Sequence, residues 1–192
     1  MKEIPASYWP FKVDHINDYA WIHDVFSKEE CKKIINLCNK LPEETAKVGA
    51  GKTKKINTKT RDTEVRWLQP GHDASIFSKL TSATLNLNKD FFKFDLDGFM
   101  EGIQFTRYHK GMFYKPHVDR SFNCPIRKLS ISVLLSDPKT FKGGDLKIEN
   151  TIPEAKQGTL IAFPSFMVHQ VTPVKQGERC SLVGWITGPN FK

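Results

Sequence analysis

Two stretches of the chain repeat their apolar residues every three or four positions, as an amphipathic helix does. In FSKEECKKIINLCNKLPEE, which starts at Phe26, the stripe is Cys31, Ile34, Ile35 and Cys38. Ser27 followed three residues later by Glu30 is a capping-box pattern, in which each side chain closes a free backbone donor of the other. This helix is expected to end near Leu41 and Pro42. In HDASIFSKLTSATLNLNKDFF the stripe is Ile76, Phe77, Leu80, Ala83, Thr84 and Leu87, with Asp73 as the N-cap. Between the two helices, TEVRWLQP reads as a short strand with Val65 and Trp67 on one side.

From about Asp95 the period changes. FMEGIQFTRYH, KLSISVLLSD, GDLKIEN, GTLIAFPS, VHQVTPV and RCSLVGWIT are short alternating or apolar runs separated by Gly, Pro, Asp and Asn. Many short strands with turn residues between them indicate a β-sandwich or barrel. The class is therefore α+β and mainly β. A helical part, about 1–95, packs against a β core, about 96–188, in a single domain over 1–192, because a chain of 192 residues suits one core and crowds two.

Composition narrows the class without naming a function. With 39% hydrophobic residues, 14 Phe and 26% charged residues, the chain is an ordinary globular one. No apolar run is long enough to span a membrane and the first residues lack the apolar centre of a signal peptide, so a cytoplasmic location is expected. Cys31, Cys38, Cys124 and Cys180 form no CxxC pair, which points to reduced, buried thiols. Much of the net charge of +8 lies in AKVGAGKTKKINTKTR, Ala46 to Arg61. That stretch has no aromatic residue to stack on a base, so it reads as a solvated loop and nucleic acid is not the expected partner.

The chemistry starts at YHKGMFYKPHVDRSF. His117 and Asp119 are two apart, and a strand aims such a pair at one face. Two histidines and one carboxylate form the facial set that suits non-haem Fe(II) and leaves positions open for a chelating cosubstrate and O2. Of the remaining histidines, His15, His23 and His72 precede the sheet and His109 sits at a strand end; His169, in a late strand, is the best third ligand. Ten residues on, Arg179 and Ser181 share a strand face, after KQGE, which reads as a hairpin turn. An arginine facing inward from RCSLVGWI requires an anion, and a dicarboxylate bridging iron and Arg179 would supply it.

Tyr108, the HVD at 117–119, GGDL at 143–146, FPS at 163–165, His169 and the RCS at 179–181 together resemble the Fe(II)/2-oxoglutarate-dependent oxygenases. Within them the pattern is similar to the prolyl 4-hydroxylase-like branch, and most of all to the PKHD-type hydroxylases; the resemblance runs from Arg61 to Trp185. It implies a double-stranded β-helix, or jelly roll, with iron on His117, Asp119 and His169. It further implies 2-oxoglutarate gripped by Arg179 with help from Ser181 and Tyr108, and ascorbate as a reductant. Two features depart from the pattern. Collagen-type prolyl hydroxylases usually carry lysine where this chain has Arg179, and PKHD-type proteins usually continue into a C-terminal region beyond the equivalent of Lys192.

The activity implied is hydroxylation of an unactivated C–H, above all in a prolyl residue of a peptide or protein, with release of succinate and CO2. The alternatives are a free amino acid, a lysyl side chain, a nucleic-acid base, or a binding module without turnover. Tyr114, Arg120, Arg127 and Trp185 are the substrate-contact candidates, and the basic loop 46–61 is a candidate cover over the peptide. GGDL is expected to be a turn into a strand, with Asp145 on the surface and no chemical role. A monomer in the cytoplasm of a bacterium or a phage-infected host completes the expectation.

Overall fold

The computed structural model describes residues 16–45, 57–120 and 126–190. The basic stretch therefore lies outside the described residues up to position 56, as do His15 and Cys124. The first half provides β1 (Ala20–Ile22), helix α1 (Lys28–Cys38), β2 (Glu44–Thr45), β3 (Arg61–Asp62), β4 (Glu64–Leu68) and helix α2 (Ala74–Leu87). The second half provides β5 (Gly98–Phe99), β6 (Ile103–Tyr108), β7 (Phe113–His117), β8 (Arg127–Leu134), β9 (Lys142–Gly143), β10 (Leu146–Ile148) and β11 (Leu160–Pro164). It closes with β12 (His169–Val171), β13 (Val174–Gln176) and β14 (Arg179–Thr187).

Both helices start where their side chains close the free backbone donors. The capping box at Ser27 and Glu30 is complete, and Asp73 caps α2 by accepting from Ser75 N–H. Helix α1 stops at Cys38, a few residues before Pro42, because Lys40 and Leu41 donate to the carbonyls of Leu37 and Cys38 in tight turns.

The larger sheet runs β1-β11-β8-β14-β6-β4-β2, with β5 pairing onto the end of β14; a smaller sheet, β10-β12-β7-β3, faces it. Two facing antiparallel sheets of this kind make the double-stranded β-helix. Strands from residues 20–68 thus complete both sheets, in addition to the helices of that half.

The alternation of side chains along β14 and β6 divides the interior in two. Cys180, Leu182, Ile186, Ile103 and Phe105 point toward the helices and join the main core. Arg179, Ser181, Trp185, Gln104, Thr106 and Tyr108 point the other way, into a cavity of about 240 Å³ between the sheets. Each large apolar side chain in the core contributes about 1.5–3 kcal/mol relative to exposure, which holds the larger sheet rigid behind the cavity.

The KQGE turn is not a hairpin. Val174–Gln176 pairs with β9, and Gly177, at φ 75°, carries the chain across to the larger sheet instead of folding it back on itself. A Cβ there would lie 2.2 Å from the Thr140 carbonyl oxygen, so the crossing requires glycine. Among the described residues no helix is long and apolar enough to cross a membrane.

Candidate metal centre

His117 ends β7 and His169 begins β12, and the two residues are direct partners across these antiparallel strands. Asp119 does not share the strand with His117; it lies in the bend beyond it. The bend is fixed because the N–H groups of Asp119 and Arg120 both donate to the Ser165 carbonyl, at 2.9 and 2.7 Å. The carboxylate is thereby turned back between the imidazoles. His169 Nε2 is 3.3 Å from Asp119 Oδ2, and His117 Nε2 is 3.8 Å from Oδ1. One donor atom from each of the three residues falls within 4.8 Å of the others.

The surroundings prepare these groups to bind a cation. His117 Nδ1 donates to the Lys115 carbonyl at 2.8 Å and His169 Nδ1 to the Met167 carbonyl at 3.0 Å. A carbonyl only accepts, so each Nδ1 carries the proton and each Nε2 lone pair is free. The Ser130 hydroxyl donates to Asp119 Oδ2 at 2.7 Å and is itself linked to the Ser165 hydroxyl at 2.9 Å. Burial alone would push the Asp119 carboxyl up; His169, His117 and Ser130 outweigh it and hold the group far below the usual carboxylate range. Burial, reinforced by His169, pushes His117 down to about 4, which keeps it a neutral donor. For His169 the neighbouring Asp119 outweighs burial and moves the ring upward. Two neutral-capable imidazoles and one anion, on one side of an open cavity, fit a divalent metal that keeps exchangeable positions.

The Tyr114 ring is stacked on His117, with centroids 3.5 Å apart and planes 17° apart, and its buried phenol is pushed up to about 12. It is thus both cavity wall and support for the imidazole. The other described histidines are engaged elsewhere: His23 with Thr159, His72 with Gln69, and His109 with Glu64 and Glu178.

Deeper in the cavity Arg179 is 4% exposed, and burial lowers its pKa. Its Nη1 donates to the Ser181 hydroxyl at 2.8 Å, Ser181 contacts the Thr106 hydroxyl at 2.7 Å, and Tyr108 stands opposite Arg179 across the strands. No carboxylate lies within ion-pair distance of Arg179 among the described residues. A buried guanidinium that faces hydroxyls and makes no ion pair fits the free carboxylate of a small dicarboxylic acid. The glycines of GGDL are part of this arrangement. At Gly144, φ 67°, a Cβ would sit 2.9 Å from Val174 Cγ2 and 3.1 Å from Arg179 Cδ. Asp145 is exposed and pairs with Thr172, as a surface residue does.

At the other end of the cavity, Arg127 lies 3.9 Å over the Trp185 ring and forks onto Glu101 Oε1 at 2.5 and 2.9 Å. Trp67 stands 6.3 Å from Trp185, and the indole Nε1 of Trp185 is buried with no hydrogen-bond partner among the described residues. Arg120 does not line the cavity. Arg61, Gln104, Thr106 and Ser130 are site residues without an evident motif, and Ser165, the end of FPS, gains its role only through Ser130 and the bend at Asp119. The alternation back from Tyr108 through Thr106 to Gln104 is the signal that finds two of them.

Residues 103–187 match the model of the 2OG-Fe(II) oxygenase superfamily. A PKHD-type hydroxylase of Prochlorococcus marinus (strain MIT 9211) is 34% identical over 176 residues, which cover 86% of this chain and 76% of the relative. Among solved structures, the viral collagen prolyl hydroxylase from Paramecium Bursaria Chlorella virus-1, in its 2-oxoglutarate complex, is 25% identical with a TM-score of 0.68. That match covers 90% of this chain and 97% of the other. A prolyl hydroxylase from Trichoplax adhaerens, in complex with a hypoxia inducible factor peptide fragment, shares the fold at a TM-score of 0.70 with 16% identity, covering 90% of this chain and 84% of the other.

Proposed function

Since the chain belongs to the PKHD-type hydroxylases of the 2OG-Fe(II) oxygenase superfamily, and is thus an Fe(II)- and 2-oxoglutarate-dependent dioxygenase, we propose that its substrate is a prolyl residue of a peptide or protein. When bound, iron and 2-oxoglutarate supply the O2 activation that hydroxylates a C–H, with succinate and CO2 as coproducts. The chain's own groups bind and orient. His117, Asp119 and His169 are the metal ligands in this reading, Ser130 and Ser165 fix the carboxylate, and Arg179, Ser181 and Tyr108 take the distal carboxylate of 2-oxoglutarate.

The observation that carries the prolyl reading is the unpaired Trp185 indole N–H at the aromatic end of the cavity. A prolyl residue presents a compact, puckered apolar ring and a carbonyl but no amide N–H. It asks for apolar walls and hydrogen-bond donors. Trp67, Trp185 and Arg127 offer that combination, because Glu101, the acceptor beside them, is already held by Arg127. The solved relatives, prolyl hydroxylases of collagen type and of a hypoxia-factor peptide, support the same reading.

Incubation with a library of proline-containing peptides, followed by tandem mass spectrometry, tests it. Addition of one oxygen to proline is expected; oxidation confined to another residue, or to a free amino acid, would reject it. Trp185→Phe keeps the wall and removes the N–H. It should raise KM for the peptide about tenfold, the cost of one hydrogen bond to a buried group, and leave the Kd for 2-oxoglutarate unchanged. Gly144→Ala should act at the opposite end. The left-handed conformation alone costs about 1–2 kcal/mol with a side chain, and the new methyl presses on Arg179, so 2-oxoglutarate affinity should fall about tenfold while Fe(II) binding is retained.

A further inference from the structure

Arg61 is 7% exposed and lines the same cavity, yet among the described residues its partners are all neutral. Its Nη2 donates to Gln104 Oε1 at 2.6 Å, its guanidinium carbon lies 4.7 Å from the Tyr114 ring centre, and its buried Nε meets no partner among the described residues. Apart from Arg179, whose anion is the cosubstrate in the proposed reading, the buried and half-buried arginines of the sheets are balanced. Arg66 faces Glu43 and Glu64, Arg107 faces Glu64 and Glu178, and Arg127 faces Glu101.

The acids around the cavity do not answer Arg61. Asp119 is committed to the two histidines and Ser130, Glu101 to Arg127, and Glu44, exposed at the rim, forms no ion pair with Arg61. Of the segments outside the described residues, 46–56 and 121–125 contain no aspartate or glutamate, and 1–15 contains only Glu3 and Asp14. A buried guanidinium without an anion costs several kcal/mol, so a chain that places one on a cavity wall has an anion arriving from outside.

Arg61 and Arg179 do not share one position. Arg179 reaches along its strand to Ser181 and, through it, Thr106, whereas Arg61 bonds Gln104, the next inward residue of β6, two positions and roughly 7 Å further along. One carboxylate cannot fill both places, and in the proposed reading the other end of 2-oxoglutarate goes to the metal, so the anion beside Arg61 comes from the substrate. One guanidinium beside a neutral amide balances a single negative charge, which suits a carboxylate better than a phosphate near −2.

Building on the prolyl reading, we propose that Arg61 and Gln104 form a second carboxylate subsite, and that the substrate is a peptide bearing an acidic group next to the hydroxylated residue. The carboxylate comes either from an acidic side chain or from a free chain end. Two substitutions probe the subsite in different ways. Arg61→Gln removes the cation, and Gln104→Glu keeps it but supplies it with an internal anion.

Binding is read anaerobically, with Fe(II) and 2-oxoglutarate present, from the change in tryptophan fluorescence, to which Trp67 and Trp185 contribute from the cavity wall. The probes are a blocked neutral peptide with one proline, the same peptide with glutamate beside the proline, one ending in a free carboxylate at the proline, and the glutamate peptide with alanine for proline. A carboxylate-bearing probe should bind wild type about tenfold more tightly than the neutral one, as a charge-assisted bond in a buried site does. The preference should vanish in both variants while the Kd for 2-oxoglutarate holds. The comparison of glutamate with free terminus identifies the source of the carboxylate. Equal binding of neutral and acidic probes by wild type overturns the subsite, as does a loss of 2-oxoglutarate affinity in Arg61→Gln with the acidic preference intact. If the preference persists in the alanine peptide and proline is not oxidised, the subsite stands and the prolyl reading falls; oxidised proline with no acidic preference gives the reverse.

Discussion

Asp119→Ala is expected to abolish Fe(II) binding and take turnover below detection, a larger loss than the roughly 10–100-fold that follows removal of a group that merely supports a metal ligand. Asp119 is the single anion in the triad, and both imidazole Nε2 atoms are turned toward it. Without it a divalent ion would meet two neutral donors in a half-buried site, with its charge uncompensated. The N–H bonds that shape the bend come from the backbone, so the side chain can be removed without unravelling it. Anaerobic titration with Fe(II) and 2-oxoglutarate, following the visible charge-transfer band of the chelate, is the measurement. The band should be missing in the variant; a band of normal intensity would show that another carboxylate holds the metal.

Arg179→Met should leave the metal in place and remove the cosubstrate. Truncating one partner of a buried charge pair costs about 2–5 kcal/mol, equivalent to roughly 30-fold to several thousand-fold in Kd for 2-oxoglutarate at 1.4 kcal/mol per decade. The ligand-free variant should melt no lower than the parent, because methionine fills similar space without burying a charge. Arg179→Lys should fall between the two: lysine keeps the charge but not the planar fork that matches a carboxylate. Calorimetric titration with 2-oxoglutarate and a melting curve without it decide the matter. Unchanged affinity in Arg179→Met would place the distal carboxylate elsewhere.

The His117–Asp119 pair and Arg179 are legible in the sequence because both depend on local spacing, whereas His169, fifty residues on, is found by its place in a late strand. His117 and Asp119 are close neighbours in the chain, and Arg179, Ser181 and Trp185 fall on one face by strict alternation, which β14 maintains over its length. What escapes the sequence is set by contacts between distant segments. The bend that carries Asp119 depends on the Ser165 carbonyl, and Gly177 turns outward because the strand before it pairs with β9, more than thirty residues upstream. Arg61 ends a lysine-rich stretch and reads as one more solvated cation; its burial becomes visible only when β3 is laid on β7 and Arg61 is found opposite Tyr114. Gly144 reads as a turn residue because nothing in GGDL reveals that Arg179, thirty-five positions on, will need the space.

Strand β14 pairs with β8 along one side and with β6 and β5 along the other, yet it follows every other strand of its sheet in sequence. During synthesis the middle of this sheet is therefore delivered last. Until it leaves the ribosome, β6 and β8 have no common partner, and their backbone edges and apolar faces are open to other chains. Most of the contacts are long-range in sequence, which favours slow folding. Yield of the intact protein should consequently depend on growth temperature and chaperone supply, and a nascent chain arrested before residue 179 would carry all three metal ligands and every strand of the smaller sheet while the larger sheet behind them still lacked its centre.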